Sequence, residues 1–387
     1  MLDPLARQVR KVAPSLLSDL KSTIAGAKRL MRKSRFWRWI NAEISPEGAE
    51  YKVLYSGTEE RKNAALLALR RTAVAPLLRD ATIAVSEFPL RQSLRVPQYL
   101  DMDVPLDTPL DEILAGYGEK LRRVVLQQLP HAELTEATTA EDLKLADIAM
   151  LRTYAIERHG ATAAQIPLEQ VARLSRWPYG RLHILRMNGE PVACHLGVHE
   201  VRKGRSYWTA VRFGYAESVF RNPKRLHEVN STNVFLATKF AKEFGADFYS
   251  LGMSLGRPDD GLLHWKRRRG GVLNANTSND WFYVRAPRNN IPLFFWGGPL
   301  FAMHGTRNRL SLHVGIPAGV DEASVADRYR ETHFRGIDEV VIHHEESTPN
   351  DLLESSAALL TEGTRARVTY RPHTSSARAK VVCESDE

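Results

Sequence analysis

Leu182-His183-Ile184-Leu185-Arg186-Met187, the turn Asn188-Gly189-Glu190, and Pro191 to Val198 form the stretch on which the fold turns. Apolar and polar residues alternate on both sides of Asn-Gly. That pattern predicts two antiparallel strands joined by a tight turn, because Asn and Gly accept the left-handed backbone such a turn needs. Toward the N-terminus, Thr139-Ala140-Glu141-Asp142 has the spacing of a helix cap. Leu143, Ile148, Leu151, Tyr154 and Ala155 then carry a helix to His159-Gly160, and a shorter helix covers Leu168 to Leu174. Leu110 to Leu129 reads as a helix stopped by Pro130. Toward the C-terminus, Ser206 to Phe213 is a strand, Leu226 to Phe244 a helix ended by Gly245, Phe248 to Leu251 a strand and Trp281 to Arg285 the last strand of the core. The order predicts an α+β fold with a mixed, mostly antiparallel sheet flanked by helices.

Outside this core, Tyr51 to Tyr55 and Thr82 to Val85 read as strands around a helix from Glu59 to Leu78, and Leu94 to Val104, with Pro97 inside it, as an edge strand. Pro287 to Phe301 is aromatic and rich in Pro and Gly, as a packed connector would be. Beyond it Leu310 to Ile316, a helix from Ala323 to Glu331, Glu339 to His343, a helix from Asp351 to Leu360 and Ala366 to Tyr370 form a second αβ unit. The expected divisions are a basic helix over 1–40, an N-terminal αβ segment over 41–109, the core over 110–286, a connector over 287–309, the αβ unit over 310–373 and a polar tail over 374–387. A length of 387 residues suits two or three domains.

With 43% hydrophobic and 26% charged residues the composition excludes global disorder, collagen and coiled-coil arrays. There is no run of about 18 apolar residues to cross a membrane. Cys194 and Cys383 stand far apart without metal-ligand spacing, and His343-His344-Glu345-Glu346 has no spacing partner, so it reads as a strand end and no metal is expected. The amphipathic start lacks the apolar segment of a secretory signal, which points to a cytoplasmic protein. Lys and Arg number 54 against 45 Asp and Glu, and the surplus favours an anionic partner. Most of it is N-terminal, where ten basic residues between Met1 and Arg38 face only Asp3 and Asp19. Leu16, Leu17, Leu20, Ile24 and Ala27 follow helical spacing toward Arg35-Phe36-Trp37-Arg38-Trp39-Ile40. Such a helix can lie peripherally on an anionic membrane, grip phosphates while its rings stack on bases, or pack on the body with a solvated basic face. A second concentration runs from Arg202 to Arg225 and ends in Lys266-Arg267-Arg268-Arg269. It forms a phosphate-binding surface if the side chains converge and scattered solvated charge if they do not.

Taken in order, Leu121-Arg122-Arg123, the helix to His159-Gly160, the hairpin with Gly189-Glu190-Pro191-Val192-Ala193, and a closing motif resemble the Fem-like branch of the GNAT acyltransferase superfamily. The closing motif is Tyr249-Ser250-Leu251-Gly252-Met253-Ser254, then Gly261-Leu262-Leu263-His264-Trp265-Lys266, then Gly270-Gly271. It is similar to a strand ending Tyr-Asp-Phe-Gly, a loop, and Gly-hydrophobic-x-x-aromatic-Lys before a glycine pair. The resemblance covers roughly Leu110 to Ala286 and implies a twin GNAT-type arrangement whose first half, 41–109, is reduced. Ser250 stands where the family has Asp, so a carboxylate role there is lost or moved to Asp247.

The resemblance implies acyl transfer to an amine, with aminoacyl-tRNA the favoured donor, no resident cofactor and a small amine or peptide as acceptor. Acyl-CoA is the alternative donor, for an N- or O-acyltransferase of cell-surface polysaccharide or secondary-metabolite biosynthesis. A third possibility is a non-catalytic protein that binds nucleic acid or a membrane surface. Against CoA, the stretch Gly214 to Arg225 lacks the glycine pair that cradles a pyrophosphate, although Lys224 and Arg225 ahead of a helix can still hold phosphate. Lys266 matches the family lysine and is expected to bind phosphate or stabilise developing negative charge, unless it is one more solvated cation. Tyr215 and Tyr249 are candidates for orienting substrate or relaying a proton, or else packed strand residues. His264 is a neighbouring base or a helix-surface residue. Arg212 reaches a cleft or pairs with Glu217 or Glu228. Glu228, Asn230 and Asn233 line the acceptor site or cap and solvate their helix.

Overall fold

The computed structural model describes residues 39–44, 52–69, 82–160, 165–176, 178–275, 280–304 and 309–374. The expected basic helix over 1–40 lies outside these residues except for Trp39 and Ile40, which open a strand, and the tail after 374 lies outside as well. Along the chain the strands are β1 (Trp39–Ile44), β2 (Lys52–Thr58), β3 (Thr82–Ser86), β4 (Leu94–Pro97), β5 (Tyr99–Pro105), β6 (Ala132–Glu136), β7 (Gly180–Met187), β8 (Glu190–Arg202), β9 (Arg205–Tyr215), β10 (Phe248–Leu255), β11 (Val272–Asn274), β12 (Trp281–Arg285), β13 (Leu300–His304), β14 (Arg309–Ile316), β15 (Glu339–Glu345) and β16 (Arg367–His373). The chain divides into two compact units. The first holds Met102–Gly252 with Lys266–Gly271, and the second holds the described residues before Met102, Met253–Trp265 and those from Val272 onward.

In the first unit the strand order is β5-β10-β9-β8-β7-β6. The Asn188-Gly189 turn has φ of 51° and 84°. Positive φ at both central residues makes the mirror-image turn whose twist matches its strands, and β7 and β8 pair antiparallel as expected. β9 pairs antiparallel with β8 and parallel with β10, so the sheet is mixed. Thr139 caps the next helix with the reciprocal Thr139–Asp142 box. The helix expected to run unbroken to Gly160 instead contains a π-helical stretch, Leu145–Arg152. Likewise the helix expected over 110–129 is two, Leu110–Ala115 and Glu119–Gln128, parted at Gly116-Tyr117-Gly118. Gly118 has φ of 79°, a backbone that side chains disfavour. The long helix Pro223–Glu243 lays Val229, Val234, Ala237 and Ala241 into the interior. Its buried hydroxyls at Ser231, Thr232 and Thr238 donate back to the carbonyls of His227, Glu228 and Val234, so each is paired within the helix.

In the second unit one sheet has the order β1-β2-β3-β12-β4. β12, expected to finish the core sheet, instead pairs antiparallel with β3 and β4. Phe282 and Val284 thereby join Val53, Tyr55, Ile83, Val85 and Val96 in one apolar cluster. At its edge the buried Arg61 donates to Glu87 at 3.0 Å and to Gln98 at 3.0 Å, and stacks 4.1 Å over Phe282. The second sheet, β13-β14-β15-β16, is antiparallel at β13–β14 and parallel beyond, with helices Glu322–Tyr329 and Asn350–Thr361 in the two crossovers. The strands and helices expected over 310–373 occur here in the expected order. The expected connector, by contrast, contributes helix Ile291–Gly297 and β13. That helix sits hard against β14, since a Cβ at Gly315 would lie 1.8 Å from the Pro292 carbonyl. No helix of the described residues is long and apolar enough to cross a membrane.

The π-helical stretch meets β9 at Gly214, where an added Cβ would stand 2.8 Å from the Leu151 amide nitrogen and 2.7 Å from Cys194 Sγ. Backbone cannot yield as a flexible side chain can. Gly214→Ala should therefore lower unfolding free energy by about 1–3 kcal/mol, measured by urea titration, whereas Gly261→Ala, with open space around it, should change it by less than about 1 kcal/mol.

Candidate active site

β9 is the middle of the first unit's sheet, yet it is not buried along its length. Tyr207 and Trp208 are buried, whereas Thr209 to Phe213 are half-exposed. The reason lies in its parallel neighbour. Registered pairs between β10 and β9 run from Phe248↔Tyr207 to Ser250↔Thr209 and go no further among the described residues. Gly252 then takes φ of 75°, a departure from regular strand backbone. On the other flank β9 carries a bulge, Val211 standing extra between the pairs Leu196↔Arg212 and Gly197↔Ala210. A bulge re-aims the side chains around it. The result is a central strand whose backbone edge is open for a few residues.

Lys266 secures that opening from behind. It is only 3% exposed, and its Nζ donates to the Gly252 carbonyl at 2.7 Å. The lysine expected to face phosphate or a developing anion is thus turned inward to hold the backbone where the ladder ends. Its neighbour in the basic run, Arg269, is equally buried at 2%. Arg269 Nη2 donates to Ser231 Oγ at 3.1 Å and to Asn230 Oδ1 at 3.3 Å, and the Asn230 amide donates to Tyr215 Oη at 2.6 Å. Burial lowers the Arg269 pKa to about 10 against the pull of the Tyr117 and Tyr215 phenols, which leaves it charged at neutral pH.

Tyr215 and Tyr249 are interior residues at 1% and 0% exposure, and burial raises both phenols well above their ordinary range. Neither reaches the surface in this structure to place a substrate. Tyr249 Oη lies 3.2 Å from His195 Nε2. His195 stacks on Phe213 and lies parallel to His183, and burial lowers these imidazoles to about 3 and about 4. Asn233 is buried with its amide on the Cys194 carbonyl. Glu228 pairs with Arg225, whose guanidinium also meets Gln128, so this pair ties two helices together and does not line the opening. Lys224 is exposed. His264 belongs to the second unit, where it lies 3.7 Å from Glu331 and packs on Phe334. Asp247, considered as a displaced carboxylate, caps the paired end of β9 by accepting the Ser206 amide at 2.8 Å.

Of the expected residues, Arg212 sits on the open stretch. Burial lowers its pKa, the Asp147 carboxylate raises it and Arg152 lowers it again. Asp147 and Arg152 both come from the π-helical stretch and bond to each other at 2.7 Å. Such insertions gather at functional sites, but they leave no mark on a sequence, which is why this pair was missed. Burial of Lys266 and Arg269 was signalled by their three-residue spacing, which continues the inward face begun by Leu263. Among the described residues no cluster of His, Cys, Asp or Glu can hold a metal.

No protein-family model matches this sequence, and no curated protein does either. Among solved structures the chain is similar to FemX, at 14% identity over 69% of this chain and 92% of that one, with a TM-score of 0.37. It is also similar to L-PGS from Bacillus licheniformis, at 13% identity over 66% and 82%, with a TM-score of 0.34. A GCN5-related N-acetyltransferase from Kribbella flavida matches at 16% identity over 70% and 96%, with a TM-score of 0.25.

The buried imidazoles of His183 and His195 set an acid limit. Above pH about 6.5 they are neutral in both folded and unfolded chain and give no slope. Below it the unfolded chain takes up protons that the folded core refuses, so stability falls as pH drops toward 4. Urea unfolding at pH 5 should give a lower free energy than at pH 7.5, by at most about 1.4 kcal/mol per refused proton per pH unit. His183→Phe should reduce that dependence by one refused proton's share, and equal stability at both pH values contradicts the buried neutral pair.

Proposed function

We propose that the chain is an N-acyltransferase that moves an aminoacyl group from a charged tRNA to an amine, acting in the cytoplasm. The observation that carries this is the open edge of β9 from Thr209 to Phe213, with Arg212 on it. Strand backbone released from its ladder offers N–H and C=O groups to a substrate's amide-like atoms, and a guanidinium beside them answers negative charge. In the reaction the free amine attacks the ester carbonyl carbon. A C–N bond forms, the C–O bond to the ribose breaks, and the nitrogen's proton ends on the departing oxygen. Arg212 and the β9 amides stabilise the tetrahedral oxyanion. Lys266 and Arg269 act one step removed, as positioning residues.

The start of the long helix supports tRNA over CoA as donor. Pro223 has no N–H, and Asn222 Oδ1 already accepts the Arg225 amide at 3.1 Å, so few backbone donors remain to cradle a pyrophosphate. Glu217 opens the short helix before it and repels phosphate. The ten basic residues before Trp39 suit a tRNA backbone.

Purified protein given labelled aminoacyl-tRNA and a panel of amines should form a labelled amide, and labelled acetyl-CoA should show no saturable binding. Arg212→Ala should cut turnover by about 10²-fold with little change in stability. Lys266→Met should instead cost stability, about 1–3 kcal/mol from the orphaned carbonyl. Deleting residues 1–39 should flatten the salt dependence of tRNA binding. Saturable CoA binding, or full turnover in Arg212→Ala, would overturn the assignment.

A further inference from the structure

The second sheet of the second unit contains a chain of imidazoles. His304 Nε2 lies 2.6 Å from Ser311 Oγ, which lies 3.0 Å from His313 Nε2. His313 Nδ1 is 3.0 Å from His343 Nε2, and His343 Nδ1 is 3.0 Å from His373 Nε2. One histidine thus comes from each of β13, β14, β15 and β16. Phe295 covers the middle, stacking on His343 with centroids 4.2 Å apart. Burial lowers the pKa of all four imidazoles, so each is neutral and carries one N–H.

The hydroxyl gives the chain a direction. With its hydroxyl on the Ala302 carbonyl, 3.3 Å away, Ser311 accepts from the two imidazoles beside it. His313 then has its N–H at Nε2 and a lone pair at Nδ1. His343 donates to that lone pair, and His373 donates to His343 in turn. The positions left over lie at the two ends of the chain, His304 Nδ1 and His373 Nδ1, and both are acceptors.

His373 lines a cavity of about 210 Å³ together with Glu345, Glu346, Asn290 and Arg288. Glu345 stands opposite His373 in the parallel register and is 8% exposed, and its Oε2 has no hydrogen-bond partner. A carboxylate so placed lacks the donors that a buried anion requires. Burial and the charge of Glu346 raise its pKa, and a cation entering the cavity would relieve both. Arg288, exposed at the rim, is the single cation among the lining residues against two carboxylates.

We propose that this cavity binds a small primary ammonium ion, whose N–H groups are accepted by the Glu345 carboxylate and by His373 Nδ1. The site is separate from the opening on β9 and stands whether or not that opening performs acyl transfer.

The test uses the full chain with n-propylammonium chloride as probe, and 1-propanol and sodium propionate as controls, followed by calorimetry and by ¹⁵N spectra of the histidine rings. The ammonium should bind saturably and the controls should not. Glu345→Gln should weaken binding at least tenfold, a larger loss than Glu346→Gln causes. In the unliganded wild type the His373 Nδ1 signal should be that of an unprotonated nitrogen and should shift on titration, a readout that needs no variant to fold. Absence of saturable binding, preference for propionate, unchanged affinity in Glu345→Gln, or a protonated His373 Nδ1 in the free chain would each overturn the proposal.

Discussion

The ammonium of Lys266 against the carbonyl of Gly252 is the contact on which the architecture around β9 depends. A strand that leaves its neighbour inside a sheet strands its own carbonyls, and a buried carbonyl without a donor costs roughly 1–3 kcal/mol. Gly252 supplies the conformation for the departure and Lys266 supplies the missing donor. The two residues belong to one motif, fourteen positions apart, and the opening of the central strand is sustained by their pairing. A lysine is suited to this because its long stem crosses apolar packing while its head needs only acceptors.

The spacing of the same motif explains Arg269. Leu263, Lys266 and Arg269 recur every third residue and are all buried, while Arg268 is exposed. Four consecutive cations therefore do two different jobs. The inward pair is matched by polar groups already placed on the long helix. Asn230 and Ser231 accept from Arg269, and Asn230 passes its own donor to Tyr215. Removing a partner from such a network leaves a charge uncompensated, so these residues hold the site's shape without touching what binds there.

What the sequence made legible was local. The Asn-Gly turn, the Thr139 cap and the alternating αβ order of residues 310–373 each rest on chemistry within a few positions, and each is found where expected. What stayed hidden depended on distant partners. Trp281–Arg285 has the alternation of any half-buried strand, and only the packing of Phe282 against Val53 and Val96 selects its sheet. The basic run looked like surface because charge dominates its composition, although its spacing carries the inward face. The tyrosines were sound choices by residue type, but their depth is set by Tyr154 edge-on to Tyr215 and by His195 against Tyr249, contacts made across strands and helices. Of the candidate site, Arg212 was legible as a long cation in an apolar strand, and its companions Asp147 and Arg152 were not.

The two units bury imidazoles in different ways, and the difference bears on what each can do. His183 and His195 are packed by rings, with a single polar contact to Tyr249, so they act as shape and lose only by gaining a proton. In the second unit's chain of four, His313 and His343 spend both nitrogens while His304 and His373 use one each, and the Ser311 hydroxyl sets the sense of the series. Hydrogen bonds in series polarise one another. Reversing any one tautomer there requires reversing its neighbours, so the acceptor presented by His373 is set by a serine two strands away and not by its own surroundings. A terminal nitrogen held in that way is preorganised toward a donor, and it meets the donor with little rearrangement still to be made.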